Sequence, residues 1–268
     1  KQVISPVNYL VGMSLRCEVD NNGNLYVGAT GVGVLPGFAL IKLNTDGTIL
    51  FTQNSDANAP KYFGSMRIKG NKIVLTASSG NLSLAPVAVW DTTGTLLWTA
   101  GLLGRGGHDV EIDDAGNVYL LTAYDNQVPP TSAMDIEIYK FDPSGTQLWK
   151  KDFDFGGTEF GTRFTLVADK LSVIGEAQLA GFDWITFQVN TAGTMLWNTR
   201  YNGTTFNDEA PYFIAAKANG EVFVTGKGGP SPDPNNPSFL RMLTLKYSNT
   251  GVQKWIDSTN IYSGWGYG

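Results

Sequence analysis

The sequence is poor in the residues on which much enzyme chemistry and most small stapled folds depend. Its 268 residues include one cysteine, Cys17, and one histidine, His108. A lone cysteine forms no intramolecular disulfide, so the fold has to be held by its core. Free cysteine is among the most buried residue types, and Cys17, inside the run Leu15-Arg16-Cys17-Glu18-Val19, is expected to lie inward. One histidine and one cysteine cannot build a zinc tetrad or a histidine-rich centre. A Ser-His-Asp triad would have to use His108, with no G-x-S-x-G elbow to present a nucleophile. No catalytic residue and no metal ligand is therefore assigned, and no cofactor is called for; calcium on a carboxylate cluster is left open.

Charge is sparse as well. Charged residues make up 16% of the chain and the net charge is −5, spread without blocks. Clustered Lys and Arg, which a phosphate backbone or an anionic membrane surface requires, are missing. No apolar run reaches the roughly 20 residues of a spanning helix, and Lys1 opens no charged-then-apolar leader. The expectation is a soluble, processed segment with no nucleic-acid partner and no membrane insertion.

What the chain has is glycine, 32 residues, and aromatics, 12%. They fall in a repeat. The segments LNTDGTILF, WDTTGTLLW, FDPSGTQLW, VNTAGTMLW and YSNTGVQKW are copies of one unit, with turn glycines Gly47, Gly94, Gly145, Gly193 and Gly251 spaced by 47, 51, 48 and 58 residues. Four residues after each glycine stands an aromatic: Phe51, Trp98, Trp149, Trp197 and Trp255. A second copy set precedes each, including GNLYVGAT from Gly23, GNVYLLTA from Gly116 and GEVFVTGKG from Gly220. Two turn signals per unit, with alternating apolar residues around them, define four antiparallel strands. Units of about 50 residues with four strands are blades, since solenoid repeats are shorter or helical.

The fold class expected is therefore all-β: a β-propeller of about five four-stranded antiparallel blades, at approximately 10–54, 62–101, 107–153, 161–201 and 211–258, in one domain over 1–268. Gln2 to Ser5 falls where a further outer strand belongs, so the alternative is part of a larger six- to eight-bladed propeller or array. The Asp or Asn before each turn is expected to bond its own backbone while glycine takes φ > 0. Each aromatic is expected to wedge against a neighbouring sheet.

The stretches DEAPYFIAAKANGEVFVTGKG, from Asp208, and LTLKYSNTGVQKWIDS, from Leu243, resemble the repeat of bacterial secreted β-propeller-repeat (SBBP-type) proteins. The likeness covers nearly the whole chain and implies an exported, surface-associated protein of this fold. The D-x-x-G-x-x-x-W core, as in Asp91 to Trp98, is also similar to the docking motif of quinoprotein propellers. Five units and a single cysteine depart from those enzymes.

Irregular loops carry binding more often than tight turns do, so a ligand face is expected where the long loops 123–134, 201–211 and 227–239 gather. Its candidate ligand-binding residues are Tyr62, Arg105, His108, Tyr124, Asp125, Glu159, Arg163, Asp208, Glu209, Tyr212 and Lys227. Five near-copies with no shared catalytic constellation point to a non-catalytic recognition or structural module, secreted or on the cell surface, whose partner is a protein or a cell-surface glycan. A lectin-like propeller is the alternative. A glycoside hydrolase, with two of Glu111, Glu159, Glu176 and Glu209 flanking the bond, follows behind it.

Overall fold

The structure, a computed structural model, describes residues 10–32, 37–55, 62–78, 87–102, 105–124, 135–178, 181–203, 209–228 and 241–259. Within them the chain forms twenty strands in five sheets, each made of four consecutive antiparallel strands. The first sheet is β1 (Leu10–Val19), β2 (Leu25–Val32), β3 (Gly37–Leu43) and β4 (Ile49–Asn54). The second is β5 (Tyr62–Lys69), β6 (Lys72–Ser78), β7 (Val87–Asp91) and β8 (Leu96–Ala100). The third is β9 (Arg105–Ile112), β10 (Val118–Tyr124), β11 (Ile136–Phe141) and β12 (Gln147–Phe153). The fourth is β13 (Thr158–Val167), β14 (Lys170–Gln178), β15 (Phe182–Asn190) and β16 (Met195–Tyr201). The fifth is β17 (Ala210–Ala216), β18 (Val222–Gly228), β19 (Arg241–Tyr247) and β20 (Gln253–Thr259). The segment Gln2 to Ser5 lies outside the described residues. Among the described residues no helix is long and apolar enough to cross a membrane.

The chain divides into two compact units, Lys1–Thr131 with Glu137–Lys151, and Ser132–Ile136 with Asp152–Gly268. In the first unit, sheets one and two bury Tyr26, Phe38, Leu40, Met66, Leu75 and Trp90 between them. Sheets two and three enclose Val74, Val89, Val110, Leu120 and Phe141. In the second unit, sheets four and five close on Trp184, Trp197, Val224, Leu243 and Tyr247. The middle strands are covered on both faces, and the burial of seven successive residues in β15 shows it. A strand in that position loses the alternation of a one-sided sheet and reads as a continuous apolar run.

Every turn between third and fourth strands uses the same chemistry. The side chain before the turn accepts two backbone N–H bonds: Asp91 Oδ1 from Thr93 and Thr95, both at 2.9 Å, and Asp142 Oδ1 from Ser144 at 2.8 Å and Thr146 at 2.9 Å. Asn44 and Asn190 do the same. The following glycine then takes a left-handed φ, +80° at Gly47 and +91° at Gly145. Those bonds hold the carboxyls of Asp91 and Asp142 below the usual range, the Thr93 and Ser144 hydroxyls contributing most.

The aromatics after the turns act as the expected wedge in three cases. A Cβ added at Gly94 would lie 3.2 Å from the Phe51 ring, one at Gly145 2.7 Å from Trp98 Cδ2, and one at Gly251 2.7 Å from Trp197 Cε3. Phe51, Trp98 and Trp197 thus lie under the turn glycine of the next sheet, and Trp98 Nε1–H donates to the Pro143 carbonyl at 3.2 Å. Trp255 departs from the pattern: it is 42% exposed and meets Phe223 of its own sheet. Cys17 also departs from expectation and is exposed. Glu18 accepts the Ile68 N–H at 2.7 Å, and the strand alternation that turns Glu18 toward the neighbouring sheet leaves Cys17 facing away.

Gly145→Ala should therefore combine backbone strain with a clash against Trp98, whereas Gly47→Ala, with nothing within 4 Å of the new carbon, carries strain alone. Denaturant unfolding should show a loss of about 1–2 kcal/mol for Gly47→Ala and a clearly larger one for Gly145→Ala; equal losses would argue against the wedge.

The turn before β18 supplies a pH marker. Glu221 is held at about 2, first by its bond to Lys246 and then by Asn219 and Lys217. Its folded value lies below the unfolded one, so its contribution is complete above the ordinary carboxylate range and fades as pH falls from about 4.5 towards 2. Acid unfolding of Glu221→Gln should lack that part of the pH dependence, and NMR titration should find Glu221 among the last carboxyls to protonate.

Candidate functional site

Within the first unit the first strands of three successive sheets meet at one cation. Arg67, on β5, lies 3.4 Å from Glu111 Oε1 and 3.6 Å from Asp109 Oδ1, both on β9, and 3.5 Å from Glu18 Oε1 on β1. Asp109 is fully buried. Burial works against the Arg67 guanidinium, but Asp109, Glu111 and Glu18 outweigh it and hold the group above its ordinary value. Burial raises the Glu18 carboxyl despite the Ile68 amide and Arg67. Three carboxylates already occupy this guanidinium, which makes it an ionic tie between sheets. Arg67→Met should cost about 3–5 kcal/mol in denaturant unfolding, because the Asp109 charge is left buried without its partner; a loss below about 1 kcal/mol would refute the tie.

The second unit holds a different arrangement. Asp135 immediately precedes β11, Asp154 immediately follows β12, and Glu159 is the second residue of β13. One carboxylate oxygen from each lies within 4.8 Å of the others. Local sequence explains the position of Asp154: Phe153 and Phe155 on either side of it pack on Phe187 of β15, with ring centroids 5.0 and 5.1 Å away. Asp154 Oδ1 accepts the Gly156 N–H at 2.8 Å, and Gly156 and Gly157 both take left-handed φ to turn the chain into β13.

Glu159 is 1% exposed, and neither of its carboxylate oxygens has a hydrogen-bond partner among the described residues. Burial pushes its carboxyl up to about 7, with Asp154 and Asp135 adding to the effect. The Phe155 amide and Arg200 oppose this weakly. Arg200 is itself bonded to Asp183. The register aligns Glu209 of the fifth sheet with Glu159, since Gly161 opposes Gly175 as Pro211 opposes Gly226. Glu209 is equally buried, yet its Oε2 accepts the Gly203 N–H at 2.9 Å.

Beside these carboxylates the unit carries exposed aromatics. Tyr212 and Phe213 on β17 are 44% and 59% exposed, and the Arg163 guanidinium of the adjacent β13 lies over the Phe213 ring at 5.2 Å. Both strands are bulged here, between Gly161 and Arg163 and between Pro211 and Phe213. A bulge re-aims the side chains beside it, which is its common use next to binding sites.

Of the residues singled out in the sequence, Glu159, Arg163, Glu209, Tyr212 and Lys227 belong to the second unit, and the structure brings Arg163 to β17. Lys227 contributes its backbone carbonyl, which accepts the Trp184 Nε1–H at 3.1 Å. His108 is exposed on the bulge of β9 in the first unit, next to buried Asp109. Tyr62, Arg105 and Tyr124 occupy strand ends whose side chains lie outside the described residues, as do Asp125 and Asp208 entirely. Asp135, Asp154 and Arg67 were not anticipated. The run Asp152-Phe153-Asp154-Phe155-Gly156-Gly157-Thr158-Glu159, carboxylates alternating with aromatics before paired glycines, was the signal available for Asp154.

No protein-family model matches the sequence, and no characterised protein matches it in sequence. Solved structures do match in fold. A putative 6-phosphogluconolactonase from Bacteroides fragilis superposes with a TM-score of 0.56 at 14% identity, over 92% of this chain and 71% of that one. The periplasmic gluconolactonase of Pseudomonas aeruginosa gives 0.56 at 15% identity, over 91% and 69%. A eukaryotic initiation factor gives 0.51 at 10% identity, over 92% and 55%. The fold class is the β-propeller. These structures correct the expectation of a non-enzyme: one of the three is a gluconolactonase and another a putative 6-phosphogluconolactonase, so enzymes are built on this fold.

Proposed function

We propose that this chain is a propeller hydrolase that opens the lactone of a sugar acid or a comparable cyclic ester. The observation that carries the reading is the group formed by Arg163, Tyr212 and Phe213. Exposed rings on a rigid strand offer a face on which a sugar ring stacks. Arg163, already set against the Phe213 ring, supplies fixed donors and positive charge. In lactone opening, water adds to the carbonyl carbon, the ring C–O bond breaks, and a hydroxy acid is released. Charge develops on the carbonyl oxygen on the way, and a positioned guanidinium stabilises it there more than in the ground state. The two lactonases of this fold support the substrate class. The likeness of the repeat to exported bacterial propellers supports a setting outside the cytoplasm, where a protein partner or a surface glycan would be the source of such sugars.

The reading is tested by following acid release from glucono-δ-lactone and a panel of other sugar lactones at constant pH. Turnover above the spontaneous rate is expected. Arg163→Ala should lower kcat/KM by on the order of a hundredfold, chiefly through kcat, and Phe213→Ala should act mainly on KM. Absence of turnover over the whole panel, or turnover indifferent to Arg163, would overturn it.

A further inference from the structure

We propose that Asp135, Asp154 and Glu159 form a binding site for one divalent cation, calcium by preference. Three observations converge on it. The first is spacing. Oxygens ligating calcium lie 2.3–2.6 Å from the ion, so two of them are separated by at most about 5 Å. The three carboxylate oxygens, all within 4.8 Å of one another, fit on such a sphere. Magnesium keeps several of its waters and takes only one or two carboxylates, and zinc prefers nitrogen and sulfur.

The second is the state of Glu159. A carboxylate taken out of water normally finds a donor, because a buried charge without one is costly. Glu159 is 1% exposed and neither of its oxygens has a hydrogen-bond partner among the described residues. Its counterpart Glu209, aligned with it in the repeat, has the Gly203 amide. Of the two, it is Glu159, beside two aspartates, whose oxygens no donor among the described residues reaches in good hydrogen-bond geometry, the Phe155 amide only pulling its carboxyl down. The cation that the chain itself brings near, Arg200, is bonded to Asp183. A bound divalent ion would supply the missing partner and offset the mutual repulsion of the three carboxylates.

The third is support. Phe153 and Phe155, packed on Phe187, fix the backbone on both sides of Asp154, and β13 fixes Glu159 opposite Ala177. Burial falls from Glu159 through Asp135 to the exposed Asp154, so the site is closed at one end and open at the other. The remaining coordination positions on the open side would be filled by water.

The test uses the chain as it is, dialysed against EDTA and then titrated with calcium chloride by calorimetry, with no substrate present. One calcium per chain is expected, with a dissociation constant on the order of 0.1–1 mM, and a melting temperature that rises by several degrees at saturation. Glu159→Gln should weaken binding on the order of tenfold or more while raising the melting temperature in EDTA, because a repelled buried charge is gone. Asp154→Asn, at an exposed position that the fold does not need charged, should weaken binding as well, and it carries the test if Glu159→Gln fails to fold by circular dichroism. Asp46→Asn, at an exposed turn of the first unit, should leave binding unchanged. No heat and no melting shift with calcium, magnesium or manganese at 10 mM would overturn the proposal. So would binding that survives both substitutions at the site, or that Asp46→Asn weakens equally. Because binding is read without substrate, an inactive lactonase assay leaves this result standing, and absence of the ion leaves that assay standing.

Discussion

Within each unit neighbouring sheets cover one another, and the contact that recurs between them is an aromatic ring laid beneath the turn glycine of the following sheet. Phe51 under Gly94, Trp98 under Gly145 and Trp197 under Gly251 are one contact made three times. It needs two things at once: a residue without a side chain at the top of a hairpin, and a flat, wide group to slide below it. The left-handed φ that makes glycine necessary for the hairpin is therefore also what leaves room for the ring. Aromatic burial of this kind carries far more free energy than the turn bonds around it, so the hairpins are held in place as much by neighbouring sheets as by their own geometry. The strands between them follow, with middle strands covered on both faces and outer strands half exposed.

The first strands of the sheets are where this regularity is relaxed. Each carries a bulge, and the residues around the bulges differ from sheet to sheet while the turns do not. In the first unit the carboxylates of Glu18, Asp109 and Glu111 gather on one cation of the chain, Arg67. In the second unit Glu159, on a first strand, meets Asp135 and Asp154, which flank β11 and β12. Arg163 and the exposed pair Tyr212 and Phe213 stand in the same unit, on the first strands of sheets four and five.

Near-identity among blades reads naturally as a scaffold, since catalysis needs one special place and copying makes many similar ones. A gluconolactonase of this fold shows that the architecture also carries enzymes. Copying acts on the turns and wedges, which stability requires in every sheet, and leaves first strands and loops free to diverge. A site then arises in one or two sheets without disturbing the repeat that holds them.

How much was legible beforehand follows the range of the interactions. The turn positions Asn44, Asp91, Asp142 and Asn190, their glycines and the aromatics four residues on could be read directly, because each turn is closed by bonds spanning two to four residues, and the repeat shows the same solution five times. Cys17 was misjudged as buried, since the face a first strand turns inward is decided by what Glu18 finds on the next sheet, Ile68 and Arg67, far off in the chain. Glu159 was singled out for its place in the repeat, but not the aspartates beside it. Asp135 and Asp154 lie at the ends of different strands, and nothing in their spacing along the chain states how close their oxygens come. The sequence by itself determined the unit and its turns, products of local bonding, and marked the aromatics of which three act as wedges. Which charges meet was decided only when separate strands were packed side by side, because Coulomb forces act through space and take no account of chain order.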